Sequence, residues 1–193
     1  MSIRIKLEHR GCRNGNACQS KHANIRSFNA EIVPTFEKQS IGHIHMNVLG
    51  KNEMDLEGMW EECRAYDEYH LGGKLEKIEN FISNEAFRQD KANMILKAEC
   101  ILYIEEVVLL PKFRGYGWSL DAVKTAIAKL QVPAETVVML QAGAVGEHHR
   151  EGDAGEKLTK HWKRIGFTEW STTDDSWLLL SVKKDLHVAG RDS

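Results

Sequence analysis

Cysteine and proline are scarce in this chain, and long apolar runs are missing. Four cysteines, Cys12, Cys18, Cys63 and Cys100, are scattered over 193 residues, too few for a disulfide scaffold, so they read as reduced thiols. No stretch approaches the roughly 20 apolar residues of a membrane span, and the charged start Met1-Ser2-Ile3-Arg4-Ile5-Lys6 lacks the apolar segment of a signal peptide. A cytoplasmic protein with no membrane partner is expected. No linker, internal repeat or low-complexity tract stands out. Residues 1–193 therefore read as a single domain, long enough to bury one core.

Net charge is also small, −2, but it is unevenly spread. Residues 1–30 carry six Lys/Arg against one acid, Glu8, while residues 31–110 carry sixteen acids against eight Lys/Arg. The acidic centre suits a cationic amine, and the basic start could touch nucleic acid; a solvated surface accounts for both.

Against these absences stands Leu109-Leu110-Pro111-Lys112-Phe113-Arg114-Gly115-Tyr116-Gly117-Trp118-Ser119-Leu120. An apolar strand from Ile101 to Leu110 breaks at Pro111 into an Arg-Gly-x-Gly turn. A helix follows, with Leu120, Val123, Ile127 and Leu130 at helical spacing until Pro133. Two glycines permit a tight turn and a close approach to a ligand. The helix start adds unpaired N–H groups and a positive dipole end, which together favour pyrophosphate. The turn is neither of the commoner phosphate loops. A Rossmann fingerprint needs a third glycine where Leu120 stands, and a P-loop needs Gly-Lys-Ser/Thr.

Beyond the turn, Thr136–Leu140 reads as a buried strand and Leu158–Ile165 as an amphipathic helix. That helix runs into Gly166-Phe167, with short strands around Phe167–Trp170 and Trp177–Val182. The glycine turn resembles motif A of the GNAT superfamily of N-acetyltransferases, Gln/Arg-x-x-Gly-x-Gly/Ala. It fits in two frames, Lys112–Gly117 with Lys in the first place and Arg114–Ser119 with Ser in the last. Lys160-His161-Trp162-Lys163-Arg164-Ile165-Gly166-Phe167 is similar to their motif B, Tyr-x-x-x-Gly-Phe, with Trp162 in the tyrosine place.

The resemblance covers roughly residues 99–183 and implies a mixed α/β fold. Its sheet would be twisted, mostly antiparallel and of about seven strands, flanked by helices and splayed at an acetyl-CoA cleft. Residues 99–183 would form the acetyl-CoA-binding half and residues 1–98 the substrate side. Acetyl-CoA is the implied co-substrate, and a primary amine of a small molecule or peptide the acceptor. The backbone of Val107, Val108, Leu109 and Leu110 would hold the pantetheine arm. Lys112, Phe113, Arg114, Gly115, Tyr116, Gly117, Trp118 and Ser119 would cradle the pyrophosphate. Gln141 stands where the family often has an Asn.

Transfer from a thioester to an amine needs a base, a donor for the oxyanion and a proton for the thiolate. Glu105 and Glu106 occupy the stretch that supplies the base; period-two alternation sends them to opposite faces, and Glu105 is preferred. Trp162 has no titration near neutral pH, which leaves His161, Tyr116 and His148-His149 as candidate acids.

In the N-terminal half, strands are expected at Ser2–Glu8, Ala30–Phe36 and Ile41–Leu49, the last with Ile44, Met46 and Val48 on one side. His43 and His45 share the other side, which is either a ligand site or, as preferred, a polar outer face. The helical segment 53–82, comprising helices over Asp55–His70 and Leu75–Ile82, falls between the third and fourth strands. The family places its extra helices between the first and second. Residues 84–98 are ambiguous, and Arg10–Ser27 reads as a long polar loop. Within that loop Cys12, Cys18 and His22 resemble the second half of a CCCH zinc finger, an RNA-binding module. With no sure fourth ligand, the expectation is a surface loop without metal and no nucleic-acid partner. A homodimer is allowed for. The competing readings are a CoA-binding or protein-interaction module without catalysis, and a nucleic-acid binder acting through the Cys/His segment.

Overall fold

Ile44, Met46 and Val48 are buried on one side of their strand, and His43, His45 and Asn47 take the alternate positions. This period-two pattern recurs across the sheet and sets its two faces. A computed structural model of the chain describes residues 2–9, 25–50, 89–143, 152–170 and 177–182. The strands are β1 (Ile3–His9), β2 (Ile25–Pro34), β3 (Gly42–Gly50), β4 (Cys100–Leu109), β5 (Thr136–Gln141), β6 (Thr168–Glu169) and β7 (Trp177–Val182). The helices are α1 (Gln89–Lys97), α2 (Trp118–Leu130) and α3 (Gly152–Lys163), with a 3₁₀ turn over Pro111–Phe113. None of the described helices is long and apolar enough to cross a membrane.

The strands form one seven-stranded sheet in the order β1-β2-β3-β4-β5-β7-β6. Among the described residues only β4 and β5 run parallel, and the other neighbouring pairs are antiparallel. The mixed α/β class and the seven strands agree with the fold that the motifs imply. A parallel pair needs a crossover connection, and α2 supplies it. Trp118, Leu120, Val123, Ala126 and Ile127 of α2 join Ile5, Ile32, Ile44, Met46, Leu102, Ile104, Val138 and Leu140 of the sheet in one core, along with Trp162 of α3. The helix ends at Gln131, which takes a left-handed φ of 49°. Pro133 then forbids continuation.

Three boundaries differ from the sequence reading. β2 begins at Ile25, inside the expected polar loop, because Ile25 to Ile32 pair residue by residue with Leu49 to Gly42, and the Ser27 hydroxyl donates to Asn47 Oδ1 at 2.6 Å. α3 begins at Gly152, six residues before its first apolar stripe residue, Leu158. An i,i+4 Glu156–Lys160 pair at 2.6 Å supports that polar first part. The ambiguous 84–98 segment contains α1, which buries Ile95. Helix α1 does lie between the third and fourth strands; the helices expected over 53–82, the Cys12/Cys18/His22 group and His148-His149 lie outside the described residues.

Candidate active site

β4 changes character at its middle. Cys100 to Ile104 pair with β3 on one side and with Thr136 to Leu140 of β5 on the other. Beyond Ile104 the ladder to β5 stops, and β5 continues only against β7, where Gln141 pairs with Trp177. Glu105 to Leu109 therefore keep β3 as their one strand partner among the described residues. A β-strand paired on one side turns its remaining N–H and C=O groups to the gap. The expected splay is present, with Val107, Val108 and Leu109 along it.

At the fork the β3–β4 register shifts. His45 is opposite Glu106 and Met46 is opposite Ile104, so Glu105 is the extra residue of a bulge. The bulge breaks the alternation that was expected to send Glu105 and Glu106 to opposite faces. Tyr103 and Glu106, three apart, end on the same face, opposite Asn47 and His45. Glu105 lies close enough to the buried Tyr103 phenol to add to the upward push that burial gives its pKa.

The strand ends in the glycine turn. Gly115 has φ 86° and Gly117 φ 82°, backbone that only glycine adopts at no steric cost. A Cβ built on either would meet nothing within 4 Å, so the turn faces open space. Gly117 caps α2 without any side-chain cap; the Leu120 N–H donates to the Gly117 carbonyl at 2.9 Å, while the N–H groups of Trp118 and Ser119 have no intrahelical acceptor. Arg114 Nε donates to the Leu109 carbonyl at 2.9 Å, tying the turn to the end of β4. Lys112 lies over the Phe113 ring at 4.8 Å, and Tyr116 is exposed. Beside the turn is a pocket of about 380 Å³ lined by Phe36, Lys112, Phe113, Tyr116, Trp118 and Asp121.

α2 and α3 meet over the turn. Ser119 Oγ and His161 Nε2 are 2.8 Å apart. Burial, and then the Arg164 charge, lower the His161 pKa, so at neutral pH the ring is an uncharged hydrogen-bonding group. Trp162 is turned the other way, 6% exposed and packed edge-on against Phe167. Its place in the motif is a core position here. Gln141 is exposed at the end of β5.

On the opposite sheet face His43, His45 and Glu106 converge. Glu106 Oε1 is 3.1 Å from His43 Nε2 and 2.5 Å from His45 Nδ1. The face read as polar and outer is partly covered, since Asn47 and Leu49 beside the histidines are buried. Sequence reasoning paired the two histidines but missed their carboxylate. The signal was half present, because a His-x-His strand places both rings on one face; the partner depends on a register across residues 51–99 that no local pattern sets.

No protein-family profile and no curated protein matches the chain. Distant likenesses to solved structures exist. Arylalkylamine N-acetyltransferase 2 from Aedes aegypti matches at 13% identity and a TM-score of 0.43 over 73% of this chain, which spans 57% of that enzyme's length. AtaTR bound with acetyl-CoA matches at 12% identity and a TM-score of 0.41, over 94% of this chain and 95% of that one. NAA60 of Arabidopsis thaliana in complex with acetyl-CoA matches at 14% and 0.38, over 82% of this chain and 76% of its own. At this distance the fold is read from the strand order, the parallel β4–β5 pair and the glycine turn of the chain itself.

Proposed function

We propose that the chain is an N-acetyltransferase that moves an acetyl group from acetyl-CoA to a primary amine of a small molecule or protein, by direct attack in a ternary complex. One observation carries this reading: β4 parts from β5 after Ile104, and the same strand runs on into a turn with two left-handed glycines at a helix start. An extended pantetheine would lie along the free edge of Val107 to Leu110, and its pyrophosphate would take the N–H groups from Gly115 to Ser119, with Lys112 and Arg114 near. Gln141, exposed at the end of β5, would hold the arm from the far side of the fork.

The amine nitrogen attacks the thioester carbonyl carbon, a β4 main-chain N–H stabilises the oxyanion, and the C–S bond breaks. We assign the base to Glu105, the bulge residue at the point where β4 parts from β5. It takes a proton from the ammonium form of the acceptor, leaving the neutral amine that attacks, and the proton shed as the C–N bond forms passes to water. The neutral His161 holds Ser119, and the leaving thiolate takes its proton from water in the open cleft. A buried Trp162 supports one alternative, a CoA-binding module without turnover.

Thermal unfolding with acetyl-CoA tests the cofactor. A ligand bound by the native state alone stabilises it by about 2.7 kcal/mol at a hundredfold excess over Kd, and Gly117→Asp should abolish the shift by placing a charge where phosphate docks. No shift with millimolar acetyl-CoA or CoA would reject the reading. Release of free CoA across a panel of polyamines, aminoglycosides, amino acids and peptide N-termini identifies the acceptor. A thermal shift without release from any amine would support the module instead.

A further inference from the structure

Two imidazoles and a carboxylate meet outside the acetyl-CoA cleft. His43 and His45 are two apart on β3 and so project from one face. Glu106 is directly opposite His45 on β4, and His43 is opposite Val108. One ligand atom from each of the three lies within 4.8 Å of the others. The rings are 4.6 Å apart between centroids and tilted by 34°. The donors stand on neighbouring strands in mid-sheet, where the ladder holds their backbones in place, so little ordering is needed to bring them together.

We propose that His43 Nε2, His45 Nδ1 and the Glu106 carboxylate form a site for one divalent transition metal, with Zn²⁺ the best match. Two imidazoles and one carboxylate suit zinc, and bonds of about 2.1 Å separate tetrahedral donors by roughly 3.4 Å. His43 already stands 3.1 Å from the Glu106 oxygen; that oxygen must withdraw from His45 by under about 1 Å, a small rotation for a flexible side chain. Side-chain exposures of 37%, 18% and 25% for His43, His45 and Glu106 leave the ion a path in and a fourth position for water. Three protein ligands with an open position mark an exchangeable site. A metal here needs nothing from the acetyl-CoA cleft, so the site stands or falls independently of the acetyltransferase reading.

The test uses the full chain, purified without a His-tag and stripped with a chelator. Co²⁺ is followed by its visible absorption, and Zn²⁺ by calorimetry. One ion per chain is expected, with Cys18→Ser unchanged. His45→Ala and Glu106→Gln should each weaken binding by at least about tenfold, a loss that even supporting partners of a metal ligand reach. Circular dichroism checks that the variants fold, and His43→Asn serves if one does not. Absence of binding at millimolar metal would overturn the site. So would binding that survives the triad changes but is lost in Cys18→Ser, which would assign the ion to the Cys12/Cys18/His22 segment.

Discussion

The two halves of β4 are continuous in sequence and differ in what surrounds them. Cys100 to Ile104 are paired on both sides and buried on both faces. Glu105 to Val108 are half-buried, begin with a bulge, and have β3 as their one strand neighbour among the described residues. The first half has no polar group to spare and can only hold the sheet together. The second has backbone groups turned to the gap where β5 leaves, which an extended ligand can use. Two-sided pairing and one-sided pairing are thus divided between adjoining stretches of one strand.

The sharpest test of that division is a pair of truncations. Leu102→Ala, at a fully buried position, should cost about 3 kcal/mol by urea unfolding, whereas Val108→Ala in the splayed half should cost under about 1 kcal/mol. Equal losses would mean the second half is packed as tightly as the first. Activity should divide the other way. Glu105→Gln should lower kcat by about a hundredfold, close to 2.7 kcal/mol, and leave the acetyl-CoA thermal shift intact. The deficit should shrink at high pH, where the amine is already neutral. Should Glu106→Gln give that result instead, the base is the residue on the histidine-bearing face.

A smaller effect concerns His161 of α3, 2.8 Å from the Ser119 hydroxyl of α2. Its folded pKa lies below the ordinary 6.5 because burial, and then Arg164, disfavour the cation. The unfolded chain therefore binds the extra proton first as pH falls. The associated stability is present above about 6.5 and is lost progressively as pH drops through that value toward the folded pKa. Unfolding free energies at pH 7.5 and pH 5 should show a steeper acid loss in the native protein than in His161→Gln. The smallest effect is at the far end of α2, where the left-handed position is structural and no ligand is involved. Gln131→Gly relieves a strained φ of 49° and should stabilise by about 0.5 kcal/mol, the left-handed penalty less glycine's extra unfolded entropy. A destabilised variant would show that Gln131 contributes packing that outweighs its strain.

Much of this was legible from residue order. Ile and Val runs bounded by Pro111 and Pro133, the helical stripe of α2, and the glycines of the turn each follow from local chemistry. So does the alternation that buries Ile44, Met46 and Val48. What escaped was non-local. The start of β2 is polar by itself and becomes a strand because β3 offers a ladder; the first part of α3 has no apolar stripe and holds through Glu156 and Lys160. The bulge at Glu105 has no sequence signature, because it is a mismatch between two strands.

From its sequence alone the chain determined its segments, their order and a phosphate-sized turn, because propensity, periodicity and glycine's backbone freedom act within a few residues. Register decided the rest. Only when β3 and β4 were aligned did His45 face Glu106, and only when β5 stopped pairing at Leu140 did half of β4 become available to a ligand. Such alignments are set by the summed packing of one sheet face against α2 and Trp162 of α3. No single segment carries that information.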